Sequence, residues 1–285
     1  MNKAICRSLL KLSTIYVLLL SLPIYLYGQD KLKVSEIVSK HVASIGTPDA
    51  IAAAANRKIE GTAQARRIQN NFLTVEGKSL LASATDKFLL LMAFEATSDD
   101  AYKLERISFD GKKTNIPYVT ESSRSAIGSF VYDYPEIAKQ GLLGGPLFSS
   151  WALLDAAGKI GNLSLQGKEK IGDIEAYKIR CVPRGGSALT IKLYFDTQTF
   201  RLVRTEYQRT VTAGTVGVDE GRVTESRYKL IEDFSDYKQI NGVTLPVTYK
   251  ITFRVDTSRL GREFEWVMKF NRFVFDQQIQ PDVFR

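Results

Sequence analysis

The chain is poor in the groups that carry covalent chemistry. Its 285 residues include two cysteines and one histidine. Cys6 lies in an apolar N-terminal stretch, so Cys181 stands alone in the rest of the chain and no internal disulfide can form there. Cys181 falls in "AYKIRCV", where Tyr177, Ile179 and Cys181 share one strand face, and it reads as a small buried hydrophobe. Any Ser-His-Asp or Cys-His pair would have to use His41, and no motif such as G-x-S-x-G supplies a nucleophile. One histidine and one cysteine do not make a zinc ligand set. "GLLGGP", residues 141–146, lacks the Lys-Ser/Thr ending of a phosphate loop. The carboxylate pairs Asp99-Asp100, Asp219-Glu220 and Glu232-Asp233 sit beside expected turns, where they read as solvated loop charges. The expectation is a protein with no catalytic residues, no metal and no cofactor.

A charge excess of one sign is present but dilute. The formal net charge is +8, and Lys3, Arg7 and Lys11 of it belong to a leader that export would remove. The remaining Lys and Arg alternate with Asp and Glu, as in "KLERISFDGKK" and "GREFEWVMKF", which is the pattern of solvated sheet faces rather than of a nucleic-acid surface. Linkers rich in Pro or Ser, low-complexity tracts and βαβ alternation are absent as well. The expectation is therefore one domain over residues 29–285, and no nucleic-acid partner.

Residues 1–28, "MNKAICRSLLKLSTIYVLLLSLPIYLYG", have a basic start, an uncharged run from Leu12, then Pro23 and a small residue at Gly28. This is the layout of a secretory signal peptide, and an uncleaved N-terminal anchor is the alternative. Beyond it, Val34, Ile37, Val38, His41, Val42 and Ile45 recur at helical spacing. Gly46 ends that helix, and Thr47-Pro48 opens a second short one. His41 lies on the apolar stripe, where a satisfied helix histidine is expected.

From Ile59 the period changes to two. "SALTIKLYFD" places Leu189, Ile191, Leu193 and Phe195 on one face, and "VTLPVTYKITFRV" does the same with Val243, Leu245, Val247, Tyr249, Ile251, Phe253 and Val255. These are half-buried antiparallel strands, with hairpin turns at Asp110-Gly111, Gly185-Gly186 and Asn241-Gly242. The apolar parity of "EFEWVMKFNRFVFD" switches after Phe270, which predicts a β-bulge near Asn271.

Two stretches depart from this alternation. "DKFLLLMAFEA" is apolar on both faces: Phe88, Leu90, Met92 and Phe94 form one and Leu89, Leu91 and Ala93 the other, so it must be covered twice or line a cavity. "YDYPEIAKQGLLGGPLFSSWALLDAAG", residues 132–158, carries no charge from Gln140 through Leu154. Pro135-Glu136 begins a helical turn that Gly141 ends. Gly144 and Gly145 allow a hinge, and Pro146 opens a second helix with Leu147, Trp151 and Leu154 on one stripe and Phe148 alongside. The reading is an apolar lid inserted at about 130–157. Phe88, Leu90, Met92, Phe94, Leu143, Leu147, Phe148, Trp151 and Leu154 would line an apolar ligand cavity, with Gly144 and Gly145 as the hinge. A core plug is the alternative use of the same segment.

The order helix, helix, curled meander with inserted apolar lid, then more meander resembles the outer-membrane lipoprotein-sorting proteins of the LolA/LolB-like superfamily. So do "GKEKIGDIEAYKIR", "LYFDTQTFRLVRTEY", "INGVTLP" and "SEIVSKHVASIGTPDAIAAAANRKIEGT". The resemblance implies a mostly antiparallel α+β fold, a curled half-open β-barrel with N-terminal helices and a helical lid, in the periplasm. It implies a monomeric, non-enzymatic carrier whose partners are a lipid or lipoprotein acyl chain and a membrane-associated donor or acceptor protein. An envelope sensor or protein-interaction module of the same fold, with a filled cavity, is the alternative. The chain departs from the family in its greater length and in lacking the lipid-anchored cysteine that the membrane-receptor branch carries just after the signal.

Overall fold

The period-two alternation becomes strands along most of the chain. The computed structural model describes residues 32–68, 73–95, 103–119, 123–214, 223–257 and 261–285. The leader at 1–28 and the pairs Asp99-Asp100 and Asp219-Glu220 lie outside the described residues. Among the described residues the strands are β1 (Arg57–Ile68), β2 (Leu73–Ala84), β3 (Lys87–Phe94), β4 (Leu104–Phe109), β5 (Thr114–Asn115), β6 (Ile160–Ile171), β7 (Ile174–Pro183), β8 (Thr190–Asp196), β9 (Leu202–Gly214), β10 (Val223–Ile240), β11 (Val243–Thr257) and β12 (Gly261–Phe275). They form one antiparallel sheet in the order β5-β4-β3-β2-β1-β12-β11-β10-β9-β8-β7-β6. Pairing of β1 with β12 joins the two meanders, and the outermost strands do not pair with each other, so the sheet is an open, curled half-barrel.

One face of the sheet carries the core. Cys181, Ile191, Tyr207, Leu230, Phe253 and Phe264 stand opposite one another in register across β7 to β12. Ile59, Leu81, Leu90 and Ile107 do so across β1 to β4, and all four are buried. The other face is charged and ion-paired, as in Lys178–Glu169 at 2.8 Å, Arg204–Asp233 at 2.7 Å and Lys229–Glu206 at 3.1 Å. Lys178–Glu169 is a partly exposed pair that adds little stability, whereas Asp233 and Glu206 are largely covered beneath Arg204 and Lys229. The expected bulge is present: Glu60 pairs with Arg272 and Gly61 with Phe270, which leaves Asn271 without a partner on β1. Strand β6 is irregular twice, between Ile160 and Asn162 and between Leu165 and Lys168.

Helix α1 (Val34–Ile45) buries Ile37, His41 and Ile45 and rests on β6 and β11. Gly46 bridges to Val243, and Thr47 Oγ1 accepts from Ala50 N to start α2 (Pro48–Ala53). Strand β3 is covered twice. Its Leu89 and Leu91 pack with Phe284 and Val283 of a 3-10 turn at Pro281–Phe284, while Phe88, Leu90 and Met92 face the concave side.

The insert between β5 and β6 holds α3 (Ala126–Asp133), α4 (Glu136–Lys139), 3-10 turns at Gly145–Leu147 and Ala152–Asp155, and α5 (Ala156–Lys159). The spacing after Pro146 predicts one helix there, and the structure has two 3-10 turns with Phe148 extended between them. The backbone donors of this stretch bond elsewhere. Gly144 N donates to Glu232, Ser149 N to Ser83 Oγ and Ala152 N to Gly141 O, so the helical i−4 ladder is not made. No helix among the described residues is long and apolar enough to cross a membrane.

Candidate functional site

The apolar residues singled out in the sequence converge on the concave side of the sheet. Phe88, Leu90, Met92 and Phe94 are buried, and so are Leu143, Leu147, Phe148 and Trp151 of the insert. The rings of Phe88 and Phe148 lie 4.9 Å apart between centroids. Leu154 is half-buried and faces a groove of about 950 Å³ that it shares with Val42 of α1 and Ile51 of α2. The segment therefore fills the middle of the concave face with its own side chains.

Gly144 and Gly145 are points of close approach. Both have left-handed backbone, φ 73° and 49°. A Cβ on Gly144 would lie 2.4 Å from the Phe148 ring, and one on Gly145 would lie 2.7 Å from Leu202. Gly144→Ala is expected to cost about 1–3 kcal/mol, from left-handed strain together with overpacking against Phe148. Urea unfolding of the variant checks this, and an unchanged midpoint would show that the segment is loosely held.

Buried polar groups fasten the insert to the rest. His41 Nδ1 lies 3.0 Å from the Phe200 carbonyl, and Trp151 Nε1 donates to His41 Nε2 at 3.0 Å. These partners require the neutral ring with its proton on Nδ1. Burial pushes the His41 pKa down to about 4, although the Phe200 carbonyl opposes that shift. Arg57 is fully buried and donates to Ala54 O at 2.7 Å and Pro146 O at 3.1 Å, tying the end of α2 to the first 3-10 turn.

Glu232 is the most constrained carboxylate. The sequence places it with Asp233 beside a turn, whereas it lies in mid-β10 and is completely buried. Its neighbours Leu230 and Phe234 share its face, and the period-two pattern carries that signal. Gly144 N donates to Glu232 Oε1 at 2.7 Å, and Tyr249 Oη contacts the same oxygen. Tyr207 Oη is 2.7 Å from Oε2 and 2.9 Å from Leu142 O. A tyrosine has one proton to donate. If Glu232 is protonated on Oε2 it donates to Tyr207, which then donates to Leu142, and every partner is satisfied. If it is ionised, Tyr207 must turn to the carboxylate and Leu142 loses that donor. Burial pushes the Glu232 pKa up to about 7, against the hydrogen bonds from Tyr249, Gly144 and Tyr207 that pull it down.

Toward the ends of β9–β12 the insert covers the concave face only in part, through α3. An apolar cleft of about 480 Å³ opens there between the ends of β9–β12 and helix α3. Phe253, Val255 and Phe264 form its floor and Phe130 its wall, with the Phe130 and Phe253 centroids 5.3 Å apart. Asp133 and Arg262, both exposed, stand at its margin. Sequence reasoning missed this site. Phe253, Val255 and Phe264 are visible in the strand alternation, but how far the insert covers the sheet is not.

No family model and no curated protein matches the sequence. Solved structures that resemble the fold include the following three. A DUF1329 family protein from Desulfovibrio piger is 15% identical with a TM-score of 0.47, covering 88% of this chain and 97% of its own. A domain from Vibrio parahaemolyticus, provisionally named an outer membrane lipoprotein-sorting protein, is 13% identical with a TM-score of 0.47, covering 87% and 94%. A LolA superfamily protein from Nitrosomonas europaea is 13% identical with a TM-score of 0.44, covering 89% and 98%.

Proposed function

We propose that the protein is an exported binder of an apolar chain, the acyl part of a lipid or lipoprotein, held in the cleft between α3 and the ends of β9–β12. One observation carries this reading: the concave face of the sheet stays apolar where the insert covers it only in part. The volume of about 480 Å³ falls within the range of roughly 300–1,000 Å³ typical of small-molecule sites. Ten methylenes buried there would contribute about 8 kcal/mol before the costs of association and ordering, so the net affinity of a single chain is expected to be weaker than micromolar. A ligand seated deeper, on Phe88 and Phe148, would need the stretch from Leu143 to Leu154 to swing out as a lid. That motion would break the Trp151–His41 and Gly144–Glu232 hydrogen bonds.

The same fastening supports a second reading, in which the filled interior belongs to an envelope sensor or protein-interaction module. Titration of a fluorescent fatty-acid probe separates the two. Saturable binding is expected in the wild type. Val255→Trp, which fills the cleft from its half-buried edge, should weaken it at least tenfold with little change in melting temperature. A wild type that binds no probe and yields no lipid on organic extraction would remove the acyl-binding reading and leave the interaction module.

A further inference from the structure

The outer side of the cleft's wall carries an unusual surface group. Tyr118 and Tyr132 are 59% and 56% exposed, the two most exposed large side chains with apolar bodies among the described residues. Between them lies Arg124, its guanidinium carbon 4.2 Å from the centre of the Tyr118 ring and 3.8 Å from that of Tyr132. Arg124 Nε donates to Ile116 O at 3.0 Å. Two aromatic rings thus lie against the guanidinium and its inner edge is anchored, while its two terminal nitrogens have no partner among the described residues. A planar cation held in this way is set for bidentate recognition of an anion approaching edge-on. Surface arginines ordinarily sweep many rotamers, and here that freedom is already lost before any partner arrives.

We infer that this Tyr118–Arg124–Tyr132 group is a docking site for an anionic membrane surface, with Arg124 holding a lipid phosphate and the two tyrosines lying at the headgroup boundary. Tyrosine suits that boundary because one end of the ring is apolar and the other hydrated. The position also fits. Tyr132 is on α3, and the far side of that helix, through Phe130, walls the cleft. Docking would bring the cleft beside the bilayer from which an acyl chain leaves or which it enters. The inference rests on the acyl-binding reading for its purpose, but the surface can be tested without it.

Flotation with vesicles of phosphatidylcholine alone, or with about a third phosphatidylglycerol, tests the site. The wild type should bind the anionic vesicles and ignore the neutral ones. Arg124→Gln should weaken binding well over fivefold, because it loses both the usual worth of one basic side chain at an anionic surface and the stacked fork. Arg124→Lys should recover only the part due to charge and stay clearly below the wild type. The double variant Tyr118→Ala, Tyr132→Ala should lose about tenfold or more. Tyr118 and Tyr132 are exposed and Arg124 is half-buried with one hydrogen bond to Ile116 O, so melting temperatures should fall little and probe binding per folded molecule in solution should stay unchanged. Equal binding to both vesicle types, wild-type binding by Arg124→Lys, or no vesicle binding by the wild type would each overturn the docking site. Vesicle binding without probe binding would instead remove the acyl-binding function and leave the docking site standing.

Discussion

Replacing Trp151 with alanine is expected to lower stability by about 3–5 kcal/mol, the range for removing a fully buried large aromatic. Trp151 is 0% exposed and its indole N–H is the donor that satisfies His41 Nε2, so the variant leaves both a cavity and an unpaired buried ring nitrogen. The lost hydrogen bond puts the cost toward the top of that range. Chemical denaturation gives the stability, and probe titration on the folded fraction gives the binding. With the ligand in the α3 cleft, affinity per folded molecule should be nearly unchanged. A variant that keeps its stability and loses probe affinity would show that Trp151 closes over ligand as a lid, and the cleft would then not be the site.

The second large expectation concerns pH, where two buried groups oppose each other. His41 has an ordinary pKa of 6.5 and a folded one of about 4. Below pH 6.5 the unfolded chain takes up a proton that the native state refuses, so stability falls with acid by roughly 3 kcal/mol in all. Glu232 has an ordinary pKa of 4.5 and a folded one of about 7. Its contribution is fully present below pH 4.5 and is lost as pH rises through 7, again by roughly 3 kcal/mol. The two slopes nearly cancel between pH 4 and pH 7. Single variants should uncover them. Glu232→Gln, which resembles the protonated acid, should become less stable from pH 7 to pH 4 by roughly 3 kcal/mol more than the wild type does. His41→Gln should show the reverse trend, losing stability from pH 4 to pH 7 relative to the wild type. Unfolding midpoints measured across this range decide it, and difference curves without slope would mean that neither group is held in the protonation state described.

Most of the sheet is legible in the chain because the side-chain period of a half-buried strand is a strong local signal. The stripe from Val243 to Phe253, the helix ending at Gly46 and the parity switch at Asn271 all follow from neighbours within a few residues. The insert is less legible. Gly144, Gly145 and Pro146 in sequence are compatible with a hinge and a new helix. Their actual geometry is set by the Phe148 ring, Leu202 and Glu232, the last two of which are far away in the chain. Glu232 itself is misread by composition, since a Glu-Asp pair suggests solvent. Only the strand parity of Leu230 and Phe234 says that Glu232 points inward while Asp233 points out to Arg204. Arg57, next to Lys58 at the start of β1, gives no sign that it will be buried under Pro146. The cleft is invisible for a related reason: it is defined by how far the insert covers the sheet.

An open sheet has two borders, and each border is an invitation to a neighbouring molecule to add its own strand. Here one border is β5, only two residues long, too short to template anything. The other is β6, twelve residues long, and it is guarded differently. Its two irregularities interrupt the row of backbone donors and acceptors, Gly167 takes a φ of 106° that no incoming strand could match, and Lys168, Glu169 and Lys170 follow at once. A half-barrel that leaves both borders of its sheet unclosed is thereby kept from polymerising edge to edge.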